Sequence, residues 1–152
     1  MPELHEYQVD VTWSGGRDGS GLAKAETSGV SVPLAVPAEF GGPGGGSNPE
    51  ELLTSAIGGC YSITFSVIAA NRKLPIENLH VETVGEVESQ GPNLSFKKVT
   101  IRPQITLEPT ATDDQVKMAE DMAQKADGYC LVTNAVRGKV EVIVEPTVTR
   151  RP

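Results

Sequence analysis

Residues 48–73 read NPEELLTSAIGGCYSITFSVIAANRK. Asn48 offers a capping side chain, Pro49 suits a first helical position, and Glu51 stands where a capping-box carboxylate belongs. Apolar or small residues then fill nearly every position from Leu52 to Ala70. Arg72 and Lys73 suit a helix C-terminus, and Pro75 lies just beyond it. The pattern predicts one long helix, apolar enough to be buried almost all round. The remaining elements of a 152-residue chain must then be arranged about it.

The flanking segments read as strands. Residues 5–13 put Tyr7, Val9, Val11 and Trp13 on one face, the alternation of a half-buried strand. SGGRDGSG (14–21) is turn chemistry, with Asp18-Gly19 as the hairpin tip. Residues 22–28 and 30–36 follow as strands broken at Gly29, and EFGGPGGGSN (39–48) is a loop too short to join two domains. Beyond the helix, 76–89 and 94–108 form a hairpin about QGPN. Thr112 then caps a second helix whose apolar face is Val116, Met118, Ala119 and Met122, with Gly128 as its stop. Residues 130–136 read as a short helical segment and 139–148 as a closing strand. The expected fold is α+β, one domain over residues 1–152, with no internal repeat.

A formal net charge of −7, with no basic stripe, argues against nucleic acid or an anionic membrane as partner. The polar, acidic start MPELHEYQVD cannot be a secretory h-region. Nor is any stretch expected to match the ~20 apolar residues of a membrane span. A cytoplasmic location is expected. In a reducing compartment, two cysteines are catalytic, redox-active or buried more often than they form a structural staple.

Cys60 leaves two readings open. A free Cys inside an apolar helix is commonly a small core residue. To react it must be a thiolate, yet it lies well past the first turn, where the helix dipole acts. A reactive Cys60 therefore needs a cation brought from elsewhere in the fold. Arg17, between glycines in SGGRDG, could supply it or be a solvated hairpin-tip residue. Arg72 and Arg137 end helical segments, where capping or surface roles account for both. Glu50 suits the positive end of the helix. His5 and His80 lack metal-binding spacing with either cysteine, so no metal site is expected.

Three segments in order resemble the OsmC/Ohr superfamily of thiol-dependent organic hydroperoxide reductases. SGGRDG resembles the Arg-bearing loop of the Ohr branch. FGGPGGGSNPEELL followed by GGCY resembles the loop, helix start and peroxidatic cysteine motif. GYCLVTNAVRGKVEV resembles the segment of the second cysteine, although Leu131 stands where the family usually has Pro. Glu50 precedes Cys60 by ten residues, as in that family. The head half is closer to the Ohr branch than the tail half.

The resemblance implies antiparallel sheets about a long central buried helix, in an intertwined homodimer. It implies Cys60 as peroxidatic thiolate, Arg17 as its cation, Glu50 as the carboxylate orienting Arg17, and Cys130 as resolving thiol. It further implies an apolar pocket formed from Leu53, Ile57, Tyr61 and Phe65, an organic hydroperoxide as substrate, and a dithiol reductant of lipoyl type, with no cofactor. Ten helical residues span ~15 Å, so an Arg17–Glu50 pair reaching Cys60 is expected to come from the other subunit. Two rivals stay open: a non-catalytic small-ligand-binding protein on the same scaffold, and a structural dimer with inert core cysteines.

Overall fold

A computed structural model describes all 152 residues. They divide into two compact units, Met1–Leu52 and Leu53–Pro152.

In the first unit β1 (Val9–Ser14), β2 (Ser20–Ala25) and β3 (Ser31–Leu34) form an antiparallel sheet in that order. The predicted hairpin closes through a bond from the Gly19 N–H to the Gly16 carbonyl. The strands are shorter than the sequence suggests. The face bearing Tyr7, Val9, Val11 and Trp13 is exposed, not half-buried, with Tyr7 88% and Val11 61% accessible. The glycine-rich loop folds back on β3, where Ser47 N–H donates to Pro33 O and Ala35 N–H to Ser47 O. This return needs Gly42, because a Cβ there would lie 2.1 Å from the Val36 carbonyl oxygen.

The long helix, α1, runs Pro49–Asn71. Its cap uses the two predicted residues, with the Glu51 carboxylate bound by the Asn48 side chain. Asn48 Oδ1 accepts from the Glu51 N–H at 2.8 Å, and Asn48 Nδ2 donates to the Glu51 carboxylate at 3.0 Å. Burial is one-sided. Ile57, Tyr61, Phe65 and Ala69 recur every four residues and are fully enclosed, whereas Ile63 and Val67 on the other side are 69% and 54% exposed. A strict four-residue spacing makes one stripe, and only that stripe meets the core. By length and composition the 23-residue α1 does reach what a membrane span requires, contrary to the sequence expectation. Its enclosed stripe nevertheless packs within a protein core.

In the second unit β4 (Ile76–Gln90) and β5 (Asn93–Leu107) form a long antiparallel hairpin. The predicted closing strand is two strands, β6 (Glu141–Val144) and β7 (Thr147–Arg150). Both run parallel to β5, β6 against Lys98–Ile101 and β7 against Gln104–Leu107. Prolines explain the break. Pro103 falls between the two paired stretches of β5, and Pro146 between β6 and β7, and neither has an N–H for a ladder. The helix α2 (Asp113–Lys125) starts at a capping box of Thr112 and Gln115. A 3-10 turn (Ala126–Tyr129) leads from it to α3 (Leu131–Val136). The core joins the α1 stripe, alternate β5 residues Val99, Ile101, Ile105 and Leu107, and Ala119, Met122 and Ala123 of α2.

Candidate functional site

Cys60 lies on α1 beside the enclosed stripe, half-buried and packed against the core. Cys130 occupies the joint between the 3-10 turn and α3, with no solvent exposure. Both are free thiols. The fold makes them neighbours, close enough for the charge of one to act on the other, although 69 residues separate them in the chain. The Cys130 thiol also lies 3.4 Å from the Ala126 carbonyl, to which it donates. Burial pushes this thiol from its ordinary 9.0 up to about 11. A hydrogen bond from Thr64, one turn along α1 from Cys60, opposes that rise, while the charge of Cys60 adds to it. Cys130 is therefore a neutral thiol at physiological pH.

Tyr61, next in the chain to Cys60, is enclosed and donates its hydroxyl to the Ala123 carbonyl at 2.5 Å. Burial is the main cause that raises its phenol, with Asp127 and Cys130 adding to it. This bond pins the Cys60 turn of α1 to the last turn of α2. The α2 end thus accepts from both the Tyr61 and the Cys130 side chains.

Arg17 and Glu50 belong to the first unit. Arg17 sits exposed on the β1–β2 turn, and its side chain lies along the glycine-rich loop. A Cβ on Gly41 would stand 3.4 Å from Arg17 Cδ and 3.8 Å from Nη1. Gly41 itself has φ +80°, a conformation glycine adopts without strain. Glu50, half-buried, is in the first turn of α1, where the neighbouring Glu51 makes the cap bonds.

Of the four residues expected to line a pocket, Ile57, Tyr61 and Phe65 are sealed in the core and Leu53 packs against it. An apolar groove of ≈ 440 Å³ runs instead along the other side of α1, lined by Ile63, Thr64, Val67, Ile68, Arg72 and Tyr129. Thr64 belongs both to this groove and to the Cys130 surroundings. His5 and His80 are exposed.

Residues 42–145 match the family model described as OsmC-like protein. The chain belongs to the OsmC-like family. Among curated relatives, this OsmC-like chain is 31% identical to an uncharacterized Bacillus subtilis protein, YmaD, over 95% of each. It is 30% identical to an organic hydroperoxide resistance protein-like 2 of Staphylococcus epidermidis, over 93% of this chain and 95% of that one. A solved organic hydroperoxide resistance protein OsmC of Legionella pneumophila superposes with a TM-score of 0.73 at 25% identity, covering 95% and 99% of the two chains. An OsmC-like protein of unknown function from Vibrio cholerae shares the fold with a TM-score of 0.77 at 21% identity.

Sequence reasoning missed several residues that surround Cys130 and, separately, Arg17 in this OsmC-like chain. Thr64 and Thr133 beside Cys130 carried no signal, since hydroxyls on helices are common. Gly41 was legible only as one glycine among many. Arg137 ends α3 as expected and, in addition, bonds Asp127 across the Cys130 segment at 2.9 Å.

Proposed function

We propose that this OsmC-like chain is a thiol peroxidase that reduces organic hydroperoxides to alcohols. One observation carries the reading: two free thiols, one half-buried and one enclosed, are neighbours in the fold although far apart in the chain. Inert core cysteines have no need of such pairing. Relatives named as organic hydroperoxide resistance proteins support the same substrate class.

In this reading the Cys60 thiolate attacks the outer peroxide oxygen. The O–O bond breaks, Cys60 becomes a sulfenic acid, and the alkoxide leaves as alcohol after taking a proton. Arg17 supplies the positive charge that keeps Cys60 ionised and orients the peroxide, and Glu50 orients Arg17. The site is completed in a homodimer, with Arg17 and Glu50 reaching Cys60 from the other subunit. Cys130 then displaces hydroxide from the Cys60 sulfur and forms a disulfide, which an external dithiol of lipoyl type reopens. The apolar groove bordered by Thr64 suits the organic part of the peroxide. Such recycling fits a reducing compartment, with the cytoplasm as the expected one.

The test is stopped-flow consumption of cumene hydroperoxide, beside hydrogen peroxide, by the reduced protein without added thiol. A burst of about one equivalent, faster with the organic peroxide and lost in Cys60→Ser, is the expected result. No burst with both thiols still free would overturn the reading and leave a non-catalytic small-ligand-binding protein.

A further inference from the structure

We propose that Arg137 is a positioning residue that holds Cys130 on its path to Cys60 and so sets how often the disulfide closes before Cys60 is oxidised further. The inference rests on the peroxidase reading for its chemistry. Its geometry stands on the Cys130 segment alone.

Cys130 is carried by weak local structure. The 3-10 turn before it has four residues and α3 after it has six, both too short to be stable by their own hydrogen bonds. Its neighbours give no apolar anchor, because Tyr129 and Leu131 are 75% and 78% exposed. Of the three consecutive side chains, only the cysteine enters the core.

One guanidinium ties this segment together. Arg137 Nη2 donates to the Asp127 carboxylate at 2.9 Å and to the Asp127 carbonyl at 3.3 Å. Its Nε donates to Asn134 Oδ1 at 3.0 Å, and Asn134 Nδ2 donates to the Gly128 carbonyl at 3.0 Å. The Asp127 carbonyl also accepts from the Cys130 N–H at 3.1 Å, and the Cys130 carbonyl accepts from the Asn134 N–H at 2.9 Å. Residues on both sides of Cys130 are therefore bound to one planar fork. The Asp127 side chain is only 16% exposed, so this pair is less open to water than an ordinary surface pair.

The closing step has a narrow geometric demand. The Cys130 sulfur must approach the Cys60 sulfenic sulfur to a bond length of about 2 Å. As the S–S bond forms the S–O bond breaks, and the hydroxide leaves as water with the Cys130 proton. If Cys130 is misaimed, a second peroxide meets the sulfenic acid first and gives the irreversible sulfinic acid. A clamp that aims Cys130 shifts that competition toward the disulfide. It has no part in the first attack.

The experiment compares the full chain with Arg137→Ala, Arg137→Lys and Asn134→Ala, all confirmed as folded by circular dichroism. Reduced protein is given one, then ten equivalents of cumene hydroperoxide, quenched by alkylation, and scored by mass spectrometry for disulfide and Cys60 sulfinic acid. In parallel, each variant is equilibrated with reduced and oxidised dithiothreitol, which reads how readily the two thiols pair without any peroxide. Expected for Arg137→Ala are an unchanged peroxide burst, about tenfold slower disulfide closure, several-fold more sulfinic acid, and a disulfide about tenfold easier to reduce. Arg137→Lys and Asn134→Ala, each keeping part of the clamp, should fall between. Closure and dithiothreitol equilibrium both at wild-type values in Arg137→Ala would overturn the proposal. A wild type without a peroxide burst, combined with a shifted dithiothreitol equilibrium in Arg137→Ala, would remove the peroxidase reading and leave the clamp standing.

Discussion

Gly58 of α1 is seated against Thr83 of β4 so closely that a Cβ at residue 58 would lie 2.3 Å from Thr83 Oγ1 and 3.1 Å from its Cβ. The helix that carries Cys60 therefore rests on the sheet through a contact with no room for a methyl group, two residues from the thiol. Gly58→Ala is expected to cost about 1–3 kcal/mol in urea unfolding, the usual penalty of overpacking. It should also change the alkylation rate of Cys60, since the helix must lift. Thr83→Ala in the same chain removes the nearest atom and should restore most of the loss. An additive double mutant would show that the contact is not the cause.

Because burial pushes the Cys130 thiol up to about 11, its alkylation in the folded protein should be slow at pH 7 and rise as pH approaches that value. The stability consequence has a definite sign. A thiol whose folded value is raised above its ordinary 9.0 contributes stability that is fully present below about pH 9 and is lost as pH rises toward 11. Urea midpoints of the reduced protein should fall across that window, and Cys130→Ala should flatten this part of the profile. Peptide-resolved labelling by mass spectrometry separates Cys130 from Cys60.

Gly41→Ala tests whether the loop under Arg17 matters to chemistry. The new Cβ meets Arg17 Cδ at 3.4 Å, and the backbone stays at φ +80°, which costs a non-glycine residue about 1–2 kcal/mol. A slower peroxide burst is expected, with disulfide closure after the burst unaffected. Equal slowing of both steps would mean that the loop acts on the fold as a whole.

Tyr61→Phe removes the hydroxyl bound to the Ala123 carbonyl while keeping the ring stacked on Phe65. A buried acceptor then loses this donor, at an expected cost of about 1–3 kcal/mol by chemical denaturation. Cys60 and Cys130 remain present, so peroxide consumption should survive at lower stability. Loss of the burst without loss of stability would instead assign the phenol a chemical part.

The sequence patterns that were legible are those enforced locally. Asn48 and Glu51 announced the start of α1, Thr112 that of α2, and turn residues marked the β1–β2 and β4–β5 hairpins. Tertiary decisions were less visible. Apolarity all round α1 does not say which side meets the sheet, and only the spacing of Ile57, Tyr61, Phe65 and Ala69 records the choice. The split between β6 and β7 follows from Pro103 as well as Pro146, and nothing in the segment 139–148 by itself reveals what β5 can accept. At the site, the cysteines could be found because thiols are rare in this chain. Thr64 beside Cys130, and the bonds of Arg137 to Asp127 and Asn134, could not, because they depend on what the fold places beside them.

The two thiols are also the ends of a long stretch of chain. β4, β5 and α2 all lie between Cys60 and Cys130, so joining the sulfurs would tie off a loop of about 70 residues. In the chain-entropy view such a tie takes about 4 kcal/mol of freedom from the denatured ensemble. An oxidised molecule would then outlast a reduced one on heating, and a melting curve of a mixed sample would read out its history of exposure to oxidant.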